Sequence, residues 1–169
     1  MMMNIPTGDE LLALLGLSES DERILNLFES LEIKRDEIEV DEDIGSFWVD
    51  FEDDYGFALS FSDVLPASFI TNIDIGGNYL VYVYFDYSFH ALPYGIEDTD
   101  NLEMIEEKLE KKANYIDKDD DTKLTWIYED LGVLTIEFQD NKYKEVINII
   151  INLYEEPKAW LDALSPFKK

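Results

Sequence analysis

The chain has 169 residues, with 39 acidic and 13 basic side chains, a formal net charge of −26 and no cysteine. This excludes disulfides, thiol catalysis and zinc–cysteine sites, and it disfavours nucleic acid and anionic membrane as direct partners, since both would be repelled. A hydrophobic share of 46% and an aromatic share of 14% supply a packed interior, so the charge does not mark a disordered tail.

The charge is unevenly placed. Residues 1–107 carry 26 acids against Arg23, Lys34 and Arg35, whereas residues 108–169 carry 13 acids against ten basic side chains. So large a charge repels itself and costs stability. Its asymmetry points to a charged partner surface, and a basic protein is the natural complement. The opening MMMNIPTGDELLALLGL has no basic region and no long apolar core, so no secretory signal or membrane span is expected, and the expected location is cytoplasmic.

Thr7 with Glu10 makes a capping box ahead of LLALL, and Gly16 marks the helix end. A second helix starts near Ser18–Asp21 and carries Ile24, Leu27, Phe28 and Leu31 on one stripe. Residues 34–45 read as an acidic loop. Phe47, Val49 and Phe51 alternate, as do Phe57, Leu59 and Phe61, with EDDYG between them as a turn, which makes a hairpin. Pro66 breaks the chain, Ile70–Ile75 is a short strand, and Gly76-Gly77-Asn78 is a turn. Tyr79–Tyr87 is dense in β-branched and aromatic residues and reads as a strand. Its Leu80, Tyr82, Tyr84 and Asp86 are expected on the outer face.

Pro93 and Gly95 turn the chain. Asp100 with Glu103 starts a helix bearing Leu102, Ile105 and Leu109, with Lys108, Lys111 and Lys112 in its last turns. Strands are expected at about 123–129, 132–138 and 144–154, and a short helix over Lys158–Leu164 after Pro157. Ile24, Leu27, Leu31 and Trp48 map onto Leu102, Ile105, Leu109 and Trp126 at a constant offset of 78 residues, and Gly56 and Phe61 onto Gly132 and Phe138 after a small gap. The expected fold is therefore α+β: helices packed on one face of an antiparallel sheet, built as a two-fold tandem repeat of a helix–β-hairpin unit. The halves are 1–90 and 91–169, within one compact domain.

Few residues suggest chemistry. His90 is the only histidine, and no serine or cysteine motif stands with it, so it reads as structural and no enzyme is expected. In DKDDDTK, Asp117, Asp119 and Asp121 resemble the start of a calcium loop. However, Thr122 stands at the required glycine and Tyr128 at the bidentate glutamate, so a solvated hairpin loop is expected and no metal or cofactor. Trp48, Trp126 and Trp160 read mostly as core. The acids at 36–43 and 50–54 are either a solvated face or a contact surface for Lys and Arg.

The leucine-rich LLALLGL opening and the LPYGIE…L…W…GVLTIEF segment resemble small immunity proteins of bacterial toxin systems. The repeated helix–sheet unit is similar in plan to the beta-lactamase inhibitor protein. The resemblance implies a cognate inhibitor that blocks a toxin domain and supplies no catalytic residues. The high acidity departs from the pattern and suggests a basic, nuclease-like toxin. The expected contact group is Asp41, Glu42, Asp43, Asp50, Glu52, Asp53 and Asp54, with Tyr82 and Tyr84 as anchors. An inhibitor of a host nucleic-acid enzyme by DNA mimicry shares the charge argument. A carboxylate–metal enzyme and a plain interaction module stay as further alternatives.

Overall fold

A computed structural model describes residues 4–33, 39–41, 46–63, 78–128, 132–153 and 161–167. The expected capping box opens the first helix, α1 (Gly8–Leu12). Glu10 N donates to Thr7 Oγ1 at 3.2 Å, and Thr7 N donates to Glu10 Oε2 at 2.7 Å. Gly8 N donates to Ala91 O at 2.7 Å, and a Cβ on Gly8 would stand 2.5 Å from Pro93 N. Only glycine admits this close approach of the amino-terminal turn to the Leu92–Pro93 segment.

Helix α2 (Glu22–Ser30) is capped by Asp21, and α4 (Leu102–Leu109) by Asn101 rather than Asp100. The expected turn at EDDYG is a single helical turn, α3 (Glu52–Tyr55). The strands are β1 (Glu39–Asp41), β2 (Ser46–Phe51), β3 (Phe57–Ser62), β4 (Tyr79–Asp86), β5 (Tyr115–Asp117), β6 (Lys123–Tyr128), β7 (Gly132–Phe138), β8 (Val146–Asn152) and β9 (Leu164–Pro166). Among the described residues they form one nine-stranded sheet in the order β1-β2-β3-β4-β8-β7-β6-β5-β9. Every pairing is antiparallel. The class is α+β as expected.

One face of this sheet is the core. Val49, Leu59, Val83, Ile151, Leu134 and Trp126 lie in one row across six strands, and all are buried. Leu11, Ile24, Leu27, Leu102 and Ile105 join the same apolar cluster, so α1, α2 and α4 all pack on that face. Phe57, Phe61, Phe85 and Phe138 are each 0% exposed, and burying each stabilises the fold by about 2 kcal/mol. Phe28 of α2 meets Phe61 edge-on, with ring centroids 5.8 Å apart.

Two β-bulges correct the sequence reading. Between β3 and β4 the register passes from Ser60↔Tyr82 to Phe61↔Leu80, leaving Val81 unpaired. Alternation inverts there, so Leu80 turns into the core at 0% exposure instead of facing outward with Tyr82 and Tyr84. Between β7 and β8 the register passes from Glu137↔Asn148 to Phe138↔Val146, leaving Ile147 unpaired in the same way. The bulged residues also bond reciprocally across the sheet centre: Tyr87 N donates to Ile147 O at 2.9 Å, and Leu153 N to Val81 O at 2.8 Å.

Other expectations change as well. The acidic loop at 34–45 contains β1, the loop after α4 contains β5, and Leu164 belongs to β9 rather than to a terminal helix. Trp48 is half-buried and faces away from the core, whereas Trp126 is fully enclosed in it, so the two tryptophans are not equivalent. The strand expected at Ile70–Ile75, Pro66 and Trp160 lie outside the described residues. Among the described residues no helix is long and apolar enough to cross a membrane.

Candidate functional site

The face opposite the helices is built by the alternate residues of each strand. On β2 these are Trp48 and Asp50, on β3 Ala58 and Ser60, and on β4 Tyr82, Tyr84 and Asp86. Trp48, Ser60 and Tyr82 lie in one cross-strand row, and Asp50, Ala58 and Tyr84 in the next. Ser60 is small, so Trp48 reaches over β3 to Tyr82, and their ring centroids are 5.2 Å apart at 45°. Asp50 is exposed, while Tyr82 and Tyr84 are half-buried.

Acids gather at one end of this half. β2 runs into α3, whose Asp53 and Asp54 are exposed. Asp86 N donates to Gly56 O at 2.7 Å, which brings the end of β4 beside the α3–β3 turn. The Asp86 carboxylate accepts from Ser88 N and Ser88 Oγ, each at 2.9 Å. Asp50, Asp53, Asp54, Tyr82 and Tyr84 of the expected contact group thus share this region. Asp41 does not: it pairs with Ser46 at the far end of the β1–β2 hairpin, five strand positions from Phe51. Glu52 belongs to α3, and Glu42 and Asp43 lie outside the described residues. Sequence reasoning missed Asp86 and Trp48. The alternation of Trp48 with Phe47 and Val49 was the available signal for Trp48.

Among the described residues the same face of the second half carries Tyr115, Thr125, Thr135, Glu137 and Asn148. Thr125 and Thr135 hydroxyls meet at 3.2 Å, and Asn148 Nδ2 donates to Glu137 Oε2 at 2.7 Å. These polar groups satisfy one another.

The calcium-like loop closes on itself. Asp117 Oδ1 accepts from Asp119 N at 2.9 Å and Asp120 N at 3.1 Å, and Asp120 Oδ1 accepts from Thr122 N and Thr122 Oγ1. The Thr122 hydroxyl holds the Asp120 carboxyl below the usual carboxylate range. The Asp117 and Asp120 carboxylates are turn caps, and among the described residues no group of three or more acids or histidines converges on a metal position.

A concavity of about 620 Å³ lies beside the Pro93–Gly95 turn, with Asp9, Tyr87, His90, Glu97 and Asp98 on its walls. His90 Nε2 sits 2.9 Å from Pro6 O, and Asp9 Oδ1 accepts from Tyr94 N at 2.8 Å. Thr7 Oγ1 is occupied as the α1 cap. Among the described residues no serine lines this space, and His90 ties the amino-terminal segment to the turn. Comparison with protein-family models, curated proteins and solved structures finds no match.

Proposed function

We propose that this protein is a cognate inhibitor of the immunity type, which neutralises a basic, nuclease-like toxin by occupying its phosphate-binding surface. The observation that carries this reading is the placing of Asp50 and Asp86 beside Trp48, Tyr82 and Tyr84 on a face that α1, α2 and α4 leave uncovered, with Asp53 and Asp54 exposed in the α3 turn at the same end. A groove that binds phosphates is positive, and an acidic protein fits it in place of nucleic acid. Complementary charge raises the encounter rate by orders of magnitude, which suits an inhibitor that must act before the toxin does. Aromatic residues within the acidic rim supply the desolvated anchors of such a contact.

The framework reads as a fused duplication. Leaving aside β9, the strand order mirrors itself about the β4–β8 pair. The bulges at Val81 and Ile147 and their reciprocal hydrogen bonds support equivalence of the halves, with Leu80, Val83 and Phe85 answering to Val146, Ile149 and Ile151. A matching bond enters each half from the segment before its helix: Leu80 N to Leu17 O at 3.0 Å, and Val146 N to Asp98 O at 2.8 Å.

The test is calorimetry against the protein encoded next to this one. Joint reversal of Asp50, Asp53 and Asp54 to Lys is expected to weaken binding about tenfold or more, chiefly through the on-rate and most strongly at low salt, with the melting temperature little changed. Unchanged affinity and unchanged cell protection remove this surface from the contact. The net charge of −26 supports inhibition of a host nucleic-acid enzyme by DNA mimicry as a second reading. Binding to a restriction or modification enzyme, with none to the neighbouring product, selects it.

A further inference from the structure

We propose that Trp48, Tyr82 and Asp50 form a seat for an arginine side chain of the basic partner, so that the partner is recognised through arginine rather than lysine. This rests on the inhibitor reading above and specifies its contact chemistry.

The geometry is set by three adjacent strands. Trp48 and Asp50 are two residues apart on β2, so their Cα atoms are about 7 Å apart on one face, and β4 lies about 10 Å from β2 across β3. β3 contributes only Ser60 and Ala58 between them. Nothing tall separates the walls, and the Trp48 and Tyr82 rings close over Ser60 at 5.2 Å. The result is a half-buried aromatic platform with an exposed carboxylate at its side. A guanidinium is planar and weakly hydrated. It stacks on aromatic faces and presents a fork of N–H donors to a carboxylate. An ammonium is a compact, strongly hydrated point charge and gains less from the platform.

The second half supplies an internal control. With the two bulges as the anchor, the core-face residues Val49, Phe51, Leu59 and Phe85 answer to Leu124, Trp126, Ile136 and Ile151. All eight are apolar. On the opposite face, Trp48, Asp50, Tyr82 and Tyr84 answer to Lys123, Thr125, Asn148 and Ile150. A sheet of this plan therefore stands without aromatic rings or carboxylates at those positions. Their presence in one half alone is what a binding role requires and what packing does not.

The experiment titrates the full-length chain with octa-arginine and octa-lysine peptides at low ionic strength, read by calorimetry. Octa-arginine is expected to bind about fivefold or more tightly than octa-lysine, and Trp48→Ala to abolish the difference by weakening octa-arginine more than octa-lysine. Asp50→Asn, at an exposed position, is expected to shrink the same difference and carries the test if the alanine variant does not fold. Equal affinities for the two peptides, or a preference that survives Trp48→Ala and Asp50→Asn, overturn the arginine seat and leave the acidic inhibitor standing. Binding of neither peptide at low ionic strength overturns the acidic-surface reading together with the seat.

Discussion

Asp100 Oδ2 lies 2.5 Å from Lys108 Nζ, with the carboxylate side chain 5% exposed and the lysine 32%. The same oxygen accepts from Glu97 N at 2.9 Å, and Lys108 also donates to Gly95 O at 2.8 Å. One ion pair thus pins the turn at 95–100 onto α4. Removing one partner of a buried pair leaves a desolvated charge, which costs about 3–5 kcal/mol when both are enclosed. Here Lys108 is a third exposed, so Lys108→Met is expected to cost about 2 kcal/mol. Asp100→Asn is expected to cost less, because the amide oxygen still accepts from Glu97 and Lys108 keeps Gly95 and water. Urea denaturation of the two variants checks the order, and equal losses would show that the carboxylate is not stranded.

Gly132 and Gly95 both have positive φ, at +87° and +69°, yet differ in surroundings. A Cβ on Gly132 would collide with the backbone carbonyl of Asn152 in the neighbouring strand, whereas one on Gly95 meets nothing within 4 Å. Gly95→Ala is expected to cost about 1 kcal/mol, the left-handed penalty alone. Gly132→Ala adds a backbone clash at the β7–β8 pairing and is expected to cost at least about 3 kcal/mol. Thermal unfolding of both variants measures the gap. A gap near zero would mean that β7 and β8 shift apart without cost.

Much of this fold is legible in the residue pattern. Phe57, Leu59 and Phe61 alternate cleanly, and β3 follows. Tyr79–Tyr87 is dense in aromatic and branched residues, and β4 takes all of it but Tyr87. Val81 shows why face assignment failed on the same strand. A bulge has no sequence period of its own, and one unpaired residue moves Leu80 to the other side. β1, β5 and β9 have three residues each, too few for any alternation to register, and they exist because a neighbouring strand offers its edge. The tryptophans mislead for a related reason. Matching Trp48 to Trp126 by constant spacing ignores the unequal loops, and an odd shift along a strand exchanges the faces. Within the candidate surface, the charge of the 50–54 stretch is visible in sequence. The approach of Asp86 and the Trp48–Tyr82 contact are not, since both depend on pairing across β3.

In a Trp160→Phe background, the other two of the three tryptophans give an optical test of that exchange. Trp126 is 0% exposed, and its Nε1 donates to Lys111 O at 3.0 Å. Trp48 is half-buried on the other face. Trp48→Phe is expected to remove a component of fluorescence that acrylamide quenches readily, and to change stability by under about 1 kcal/mol. Trp126→Phe is expected to leave that component intact and to cost about 3 kcal/mol, through the cavity and the unsatisfied Lys111 carbonyl. If acrylamide quenching falls with Trp126→Phe instead, the two faces of the sheet have been assigned the wrong way round.

Tyr128 fixes the alkaline limit. Burial, with the Tyr94 phenol close by, pushes its hydroxyl up to about 12. Lys111 Nζ stands 4.8 Å from the centre of its ring and donates to Ile127 O. Tyr94 and Tyr143 are also raised, chiefly by burial, the first with Asp9 and the second with Asp121 adding to the shift. The charged form of a phenol is the deprotonated one, so the folded protein holds these protons longer than the unfolded chain, where tyrosine ionises near pH 10. Below that pH both states are neutral and the full stability is present. As pH rises from about 10 towards 12 the unfolded chain releases protons that the folded one retains, so it binds fewer protons and stability falls. Denaturation midpoints measured on either side of pH 10 are expected to drop, and Tyr128→Phe to drop less steeply over the same interval. A Tyr128→Phe curve parallel to the wild type would show that its phenol is as exposed to water in the folded state as in the unfolded chain.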